Sequence, residues 1–164
     1  MIRLFAGLPA ALALAACATA PPAPTYPEAA SYDVSENAMA DVDAALARAG
    51  ASGKRVLLVM GANWCHDSRA LAGWLESARI AALVEREYEL VFVNIGMPQT
   101  GDGHNLAVAH RFGLKELPGT PNLLVLTADG TLVNPDTATT WRNAASRSEA
   151  AIFAELERLA DQPV

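Results

Sequence analysis

Residues 55–68 read Arg55-Val56-Leu57-Leu58-Val59-Met60-Gly61-Ala62-Asn63-Trp64-Cys65-His66-Asp67-Ser68. The run 56–60 is unbroken in its apolar character, has strand length, and follows the charged pair Lys54 and Arg55. Such a run predicts a strand buried on both faces, as in the middle of a parallel sheet. Further on, Leu71, Trp74, Leu75, Ala78 and Ala82 recur at helical spacing and mark one apolar stripe. Cys65 therefore falls where a central strand hands over to a helix. The first N–H groups of a helix lack partners within it and favour an anion, so the Cys65 thiolate is expected to form more readily than that of an exposed free cysteine. Ser68, one turn on, is placed to donate a hydrogen bond to the sulfur. Asp67 favours the helix start and opposes a thiolate by repulsion, and His66 reads as a solvent-side neighbour that modulates the sulfur.

Upstream, Met39, Val42, Leu46 and Ala49 give a helical face that Gly50 and Gly53 stop. Downstream, residues 88–95 are rich in β-branched and aromatic types and predict a second strand. The glycine-rich stretch 96–103 reads as a loop, and 105–112 as a short helix ended by Gly113. Residues 123–127 and 131–133 flank Asp129-Gly130, a signal for a β-hairpin. Ser146 with Glu149 suggests a capping box for a last helix whose buried face is Ile152, Phe153, Leu156 and Leu159. The element order helix, strand, helix, strand, helix, strand, strand, helix predicts an α/β fold: a central mixed β-sheet flanked by helices on both faces, with an antiparallel hairpin closing one side.

At 164 residues and 17.2 kDa the chain holds one ordinary domain. Its formal charge is -6 and no basic cluster appears, which argues against a nucleic-acid partner. Residues 4–16 form an apolar run behind Arg3, interrupted by Pro9 and too short to span a membrane, which is the layout of a signal peptide. Leu14-Ala15-Ala16-Cys17 resembles the lipobox of bacterial lipoproteins, which implies lipidation of Cys17 as the mature N-terminus. Cleavage at Ala18-Thr19-Ala20 is the alternative. The expected organisation is a signal peptide over 1–16, a lipidated Cys17 with a Pro- and Ala-rich tether over 17–37, and the folded domain over 38–164. Ala18 after the lipobox cysteine resembles the outer-membrane sorting pattern, so the expected location is the periplasmic side of the envelope, anchored by lipid to the outer membrane.

Trp64-Cys65-x-x-Ser68 at a strand-to-helix junction, and Thr120-Pro121 ahead of a strand and hairpin, resemble the two signatures of thioredoxin-like proteins, over residues 38–162. The resemblance implies that fold, a cis bond before Pro121 rather than Pro118, and thiol–disulfide chemistry. On it, Cys65, Ser68, Trp64 and Pro121 form the site, with His66, Asp67 and Thr120 as modulators. Three departures matter: Ser68 stands in place of the second cysteine, Val59 where many relatives carry a buried acid, and His66-Asp67 where thioredoxins proper carry Gly-Pro. Two-cysteine electron carriage is thereby the least favoured redox version, because no disulfide can close between positions 65 and 68. The expected activity is monothiol exchange or isomerisation through Cys65 on protein or small-molecule thiols and disulfides, and a Cys65-linked homodimer is a further expected product. The alternative is a non-catalytic binding or folding-assistance module. No cofactor is implied, and His66, His104 and His110 with Cys65 and Asp67 lack the spacing of a metal site.

Overall fold

A computed structural model describes residues 25–33 and 37–164. The expected signal peptide and Cys17 lie outside the described residues. Among those described, no helix is long and apolar enough to cross a membrane.

The central sheet has three strands. β1 (Arg55–Gly61) occupies its middle, parallel to β2 (Tyr88–Asn94) and antiparallel to β5 (Asn122–Leu126). Leu58 pairs with Val91 on one side and Leu124 on the other. Burial of 56–60 is complete, as an apolar run without alternation requires. Alternate residues feed two cores. Leu57, Val59, Leu123 and Val125 pack against α2 (His66–Glu76), α3 (Ala78–Glu87) and α5 (Glu149–Asp161). Val56, Leu58, Met60, Leu124 and Leu126 pack against α1 (Ala38–Ser52) and α4 (Leu106–Arg111). The mixed sheet with helices on both faces is thus the architecture the sequence predicts.

The differences have local causes. α1 runs through Gly50 and ends at Gly53, which takes a left-handed φ of 75° and donates its N–H to Ala49. The stripe from Leu71 to Ala82 is split at Ser77, whose ψ of 142° breaks the helical path. Its hydroxyl donates to the Trp74 carbonyl at 2.8 Å, and is also 3.1 Å from Glu149 Oε1. The loop 96–103 carries a small hairpin, β3 (Gly96–Met97) with β4 (Asp102–Gly103), joined by a 3-10 turn over Pro98–Thr100. The cap of α5 is Ser148, whose hydroxyl accepts from the Ala151 N–H, so the box expected from Ser146 and Glu149 does not form. Ser146 donates to the Asn143 carbonyl instead.

The hairpin expected after β5 forms: Gly130 turns the chain with a φ of 87°, and the Thr127 N–H donates to the Thr131 carbonyl at 2.9 Å. Its returning arm keeps one bridge, Leu126 to Leu132, and a bond from the Val133 N–H to the Val125 carbonyl. Asn134 then replaces the strand. Its side-chain oxygen accepts from the Val125 N–H at 2.8 Å and its amide donates to the Leu123 carbonyl at 3.0 Å. Pro135 follows and cannot donate to a ladder. One buried side chain thereby satisfies two main-chain groups on the edge of β5, while the Leu123 N–H donates to the Ala138 carbonyl.

The tether expected over 17–37 is packed in its described part. Residues 25–33 lie along α2: Pro27 meets Gly73, where a Cβ would fall 2.5 Å from the Pro27 carbonyl carbon, and the Ala29 N–H donates to the Arg69 carbonyl. Tyr32 is fully buried in the first core, edge-on to Phe92 at 5.2 Å. We refer to residues 25–33 as the strap.

Asn134→Ala leaves two buried main-chain groups of β5 without partners, so we expect a loss of about 2–4 kcal/mol, read as a lower urea midpoint at unchanged slope.

Candidate functional site

Cys65 is the N-cap residue of α2, with φ -85° and ψ 123°. It is a free thiol and only 8% exposed. Its sulfur makes no capping bond to the N–H groups of the helix start. The thiol instead donates to the Thr120 carbonyl at 3.5 Å, and the Thr120–Pro121 bond is the cis peptide among the described residues. Two motifs far apart in sequence meet here because β1 and β5 are adjacent: Met60, at the end of β1, is paired with Asn122, at the start of β5.

Ser68 does not face the sulfur as a donor. It is fully buried, and its hydroxyl accepts from the Ala62 N–H at 3.3 Å, closing the turn back on itself. Trp64 is 49% exposed, with its indole N–H donating to the Gly96 carbonyl at 3.1 Å. This bond fixes the ring beside the β3–β4 hairpin, where Met97 is also exposed. The outward side of the site therefore has an apolar flank, while Trp74 packs against the core.

Asp67 is buried and turned away from the helix N–H groups. One carboxylate oxygen accepts from the Ala145 N–H at 2.8 Å and the other lies 3.1 Å from His66 Nε2. Its position in the first turn still suits its charge, and its bonds tie α2 to the 3-10 turn Ala144–Ser146. The His66 ring is solvent-exposed and pairs with Asp67 rather than the thiol. His104 Nε2 lies 3.0 Å from Asn94 Oδ1, and His110 lines a separate cavity with Pro98, Leu106 and Leu117. Among the described residues no group of three or more His, Cys, Asp or Glu side chains is placed to hold a metal ion.

Three residues of the site neighbourhood escape the sequence reading: Tyr32, Asn63 and Asn94. Asn63 exchanges two hydrogen bonds with the Tyr32 main chain, both at 3.1 Å. Asn94, the last residue of β2, donates to the Tyr32 carbonyl and accepts from the Gly96 N–H, each at 3.0 Å. The available signals were small: an aromatic residue in a Pro- and Ala-rich stretch, and a lone Asn before Trp64. Neither forms a periodic pattern, so neither could be assigned a partner.

Beside the thiol, the Thr120 hydroxyl and the Asn122 side-chain oxygen are buried with no hydrogen-bond partner in the protein. An unpartnered buried hydroxyl costs stability, whereas a methyl group of the same shape does not. Thr120→Val should therefore unfold at an equal or higher urea concentration, with a gain of up to about 1–2 kcal/mol.

Residues 37–128 match the family model described as thioredoxin-like. The crystal structure of a disulphide isomerase from Xylella fastidiosa Temecula1 is similar to this chain with a TM-score of 0.71 and 30% sequence identity, covering 80% of this chain and 97% of that one. No curated protein matches the sequence. With the Cys65 turn set against a cis-proline loop on a mixed sheet, and with these matches, the chain belongs to the thioredoxin-like family.

Proposed function

We propose that this protein is an envelope lipoprotein that rearranges disulfides through the single thiol of Cys65. The observation that supports the reading best is the contact between the Cys65 sulfur and the Thr120 carbonyl of the cis-proline loop. It places a free thiol at a helix start beside the outward-facing Trp64, in a chain 30% identical to a disulphide isomerase.

The chemistry conserves electrons. The Cys65 thiolate attacks one sulfur of a substrate disulfide, forms a mixed disulfide and expels the other sulfur as a thiolate, which takes up a proton. Ionising Cys65 breaks its bond to the Thr120 carbonyl, so the sulfur that attacks is the one freed from the loop. Ser68 carries no sulfur and cannot resolve the adduct. Resolution falls to a thiolate from the substrate or from a small thiol, which attacks the substrate-side sulfur and regenerates Cys65. When that thiolate belongs to the same substrate, the net result is isomerisation. The apolar flank of Trp64 and Met97 suits unfolded segments near a mispaired cysteine.

The resemblance of residues 14–17 to a lipobox supports a Cys17 anchor on the periplasmic side, in a compartment that permits disulfides. Labelled palmitate should be incorporated into the full chain and lost in Cys17→Ser.

The decisive test of the thiol is acid trapping of the full chain after exposure to oxidised glutathione and to scrambled ribonuclease. Discrete adducts on Cys65 are expected. They should be absent in Cys65→Ser and shorter-lived in Ser68→Cys, whose new thiol supplies the missing second attack. A Cys65–Cys65 dimer would register as a species of twice the mass that vanishes on reduction. If only free Cys65 is recovered under every challenge, exchange is refuted and a binding or folding-assistance module takes its place.

A further inference from the structure

The turn that carries Cys65 is held at both ends by one residue from outside it. Tyr32 donates its hydroxyl to the Ser68 carbonyl at 3.2 Å, on the helix side. On the strand side its main chain is gripped by the Asn63 amide through both the N–H and the carbonyl. Cys65 lies between these two fixed points. The ring itself fills the space left by Gly61: a Cβ there would fall 2.6 Å from Tyr32 Cε1 and 2.8 Å from Ser68 Oγ. Burial first, and the neighbouring Cys65 second, push the Tyr32 phenol well above its ordinary pKa, so its hydroxyl remains a donor at any working pH.

The strap that brings Tyr32 here is itself pinned to the same turn. The Arg69 guanidinium donates to the carbonyls of Asn63 and Trp64 at 3.0 and 3.2 Å and pairs with Glu28 of the strap at 3.2 Å. Asn94 extends the set to the opposite wall, because it binds both the Tyr32 carbonyl and the Gly96 N–H, and the Gly96 carbonyl in turn holds the Trp64 indole. From this arrangement we infer that Tyr32 is a positioning residue for the thiol: docked by the strap, it fixes the Gly61–Ser68 turn so that Cys65 stays sheltered against the Thr120 carbonyl. The inference rests on Cys65 being the functional thiol, and it adds to that reading a residue that controls how readily the sulfur is reached.

The test is the rate at which iodoacetamide alkylates Cys65 in the full chain, measured across pH for wild type, Tyr32→Leu, Tyr32→Phe and Leu156→Ala. Leu156 lies in the same core but on α5, and serves as a matched loss of stability. Tyr32→Leu should be alkylated about tenfold faster, because the turn opens locally while the domain stays folded. Both Tyr32 variants keep the main-chain grip of Asn63; Tyr32→Phe also keeps the ring beside Gly61 and loses only the bond to the Ser68 carbonyl, so its rate should lie between those of wild type and Tyr32→Leu, within about threefold of wild type. Leu156→Ala should lower the melting temperature and leave the rate unchanged. If Tyr32→Leu does not fold, Asn63→Ala, which removes the grip on the strap, should accelerate alkylation in the same direction. A wild-type rate and pH profile in a folded Tyr32→Leu or Asn63→Ala variant would overturn the inference, as would equal acceleration in Leu156→Ala. Alkylation needs no disulfide partner, so this outcome is independent of whether glutathione or ribonuclease adducts form.

Discussion

β1 is hydrogen-bonded along both edges and buried on both faces, so the point where it ends has almost no positional freedom. Its last residues pair with the end of β2 at Asn94 and with the start of β5 at Asn122. Those two neighbours begin the segments that frame the thiol: the hairpin beside Trp64 follows β2, and the cis-proline loop precedes β5. A chain leaving β1 must pass between them. The sheet therefore sets the distance between Cys65 and the Thr120 carbonyl before any side chain near the thiol is considered. Local bonds, such as the Ala62 N–H to Ser68, then trim the turn within limits the sheet imposes.

If Ser68 stands where dithiol relatives carry their second cysteine, the change alters the logic of the proposed site more than its shape. The hydroxyl is small, fully buried and engaged with the Ala62 N–H, so it serves the fold of the turn. In a dithiol site the protein can be left oxidised or reduced and so carries electrons. A site with one sulfur can only hold a partner or release it. The direction of any exchange then belongs to the partner's own thiols, and the protein's contribution is access and orientation. On the proposed reading, access is what the buried thiol, the exposed Trp64 and the Tyr32 contacts together govern.

Much of this was legible in the sequence, and the limits follow from which interactions leave a periodic trace. An apolar run such as 56–60 admits few solutions, periodicity and turn residues give the element order around it, and the Trp64-Cys65 junction with Thr120-Pro121 matches that order to one fold. Beyond the hairpin arm 131–133 a side chain, Asn134, does the work of a strand, and its bonds to β5 leave no trace in the sequence because amide side chains carry no period. The same holds for Ser77, where a hydroxyl-stabilised break divides what spacing alone shows as one helix. At the site, helix N–H groups and Ser68 are the partners that local reasoning expects for the sulfur; the observed partner is a main-chain carbonyl of the cis-proline loop, which the family resemblance, and no local pattern, sets facing the sulfur. The strap was hidden for another reason. Prolines suggest an extended chain, and an extended chain is also the form that lies flat along a helix.

That docking has a mechanical consequence for a protein held by its N-terminus. If Cys17 carries the lipid, a tether reaching to α1 would let the domain range about 70–75 Å from the bilayer when fully drawn out. With the strap seated along α2 from Pro27, the span from Cys17 to that contact could measure at most about 33–36 Å. The domain would then be on a short leash whose last link is clipped to the helix that bears the thiol, so that chain length would bound the height above the membrane at which Cys65 works.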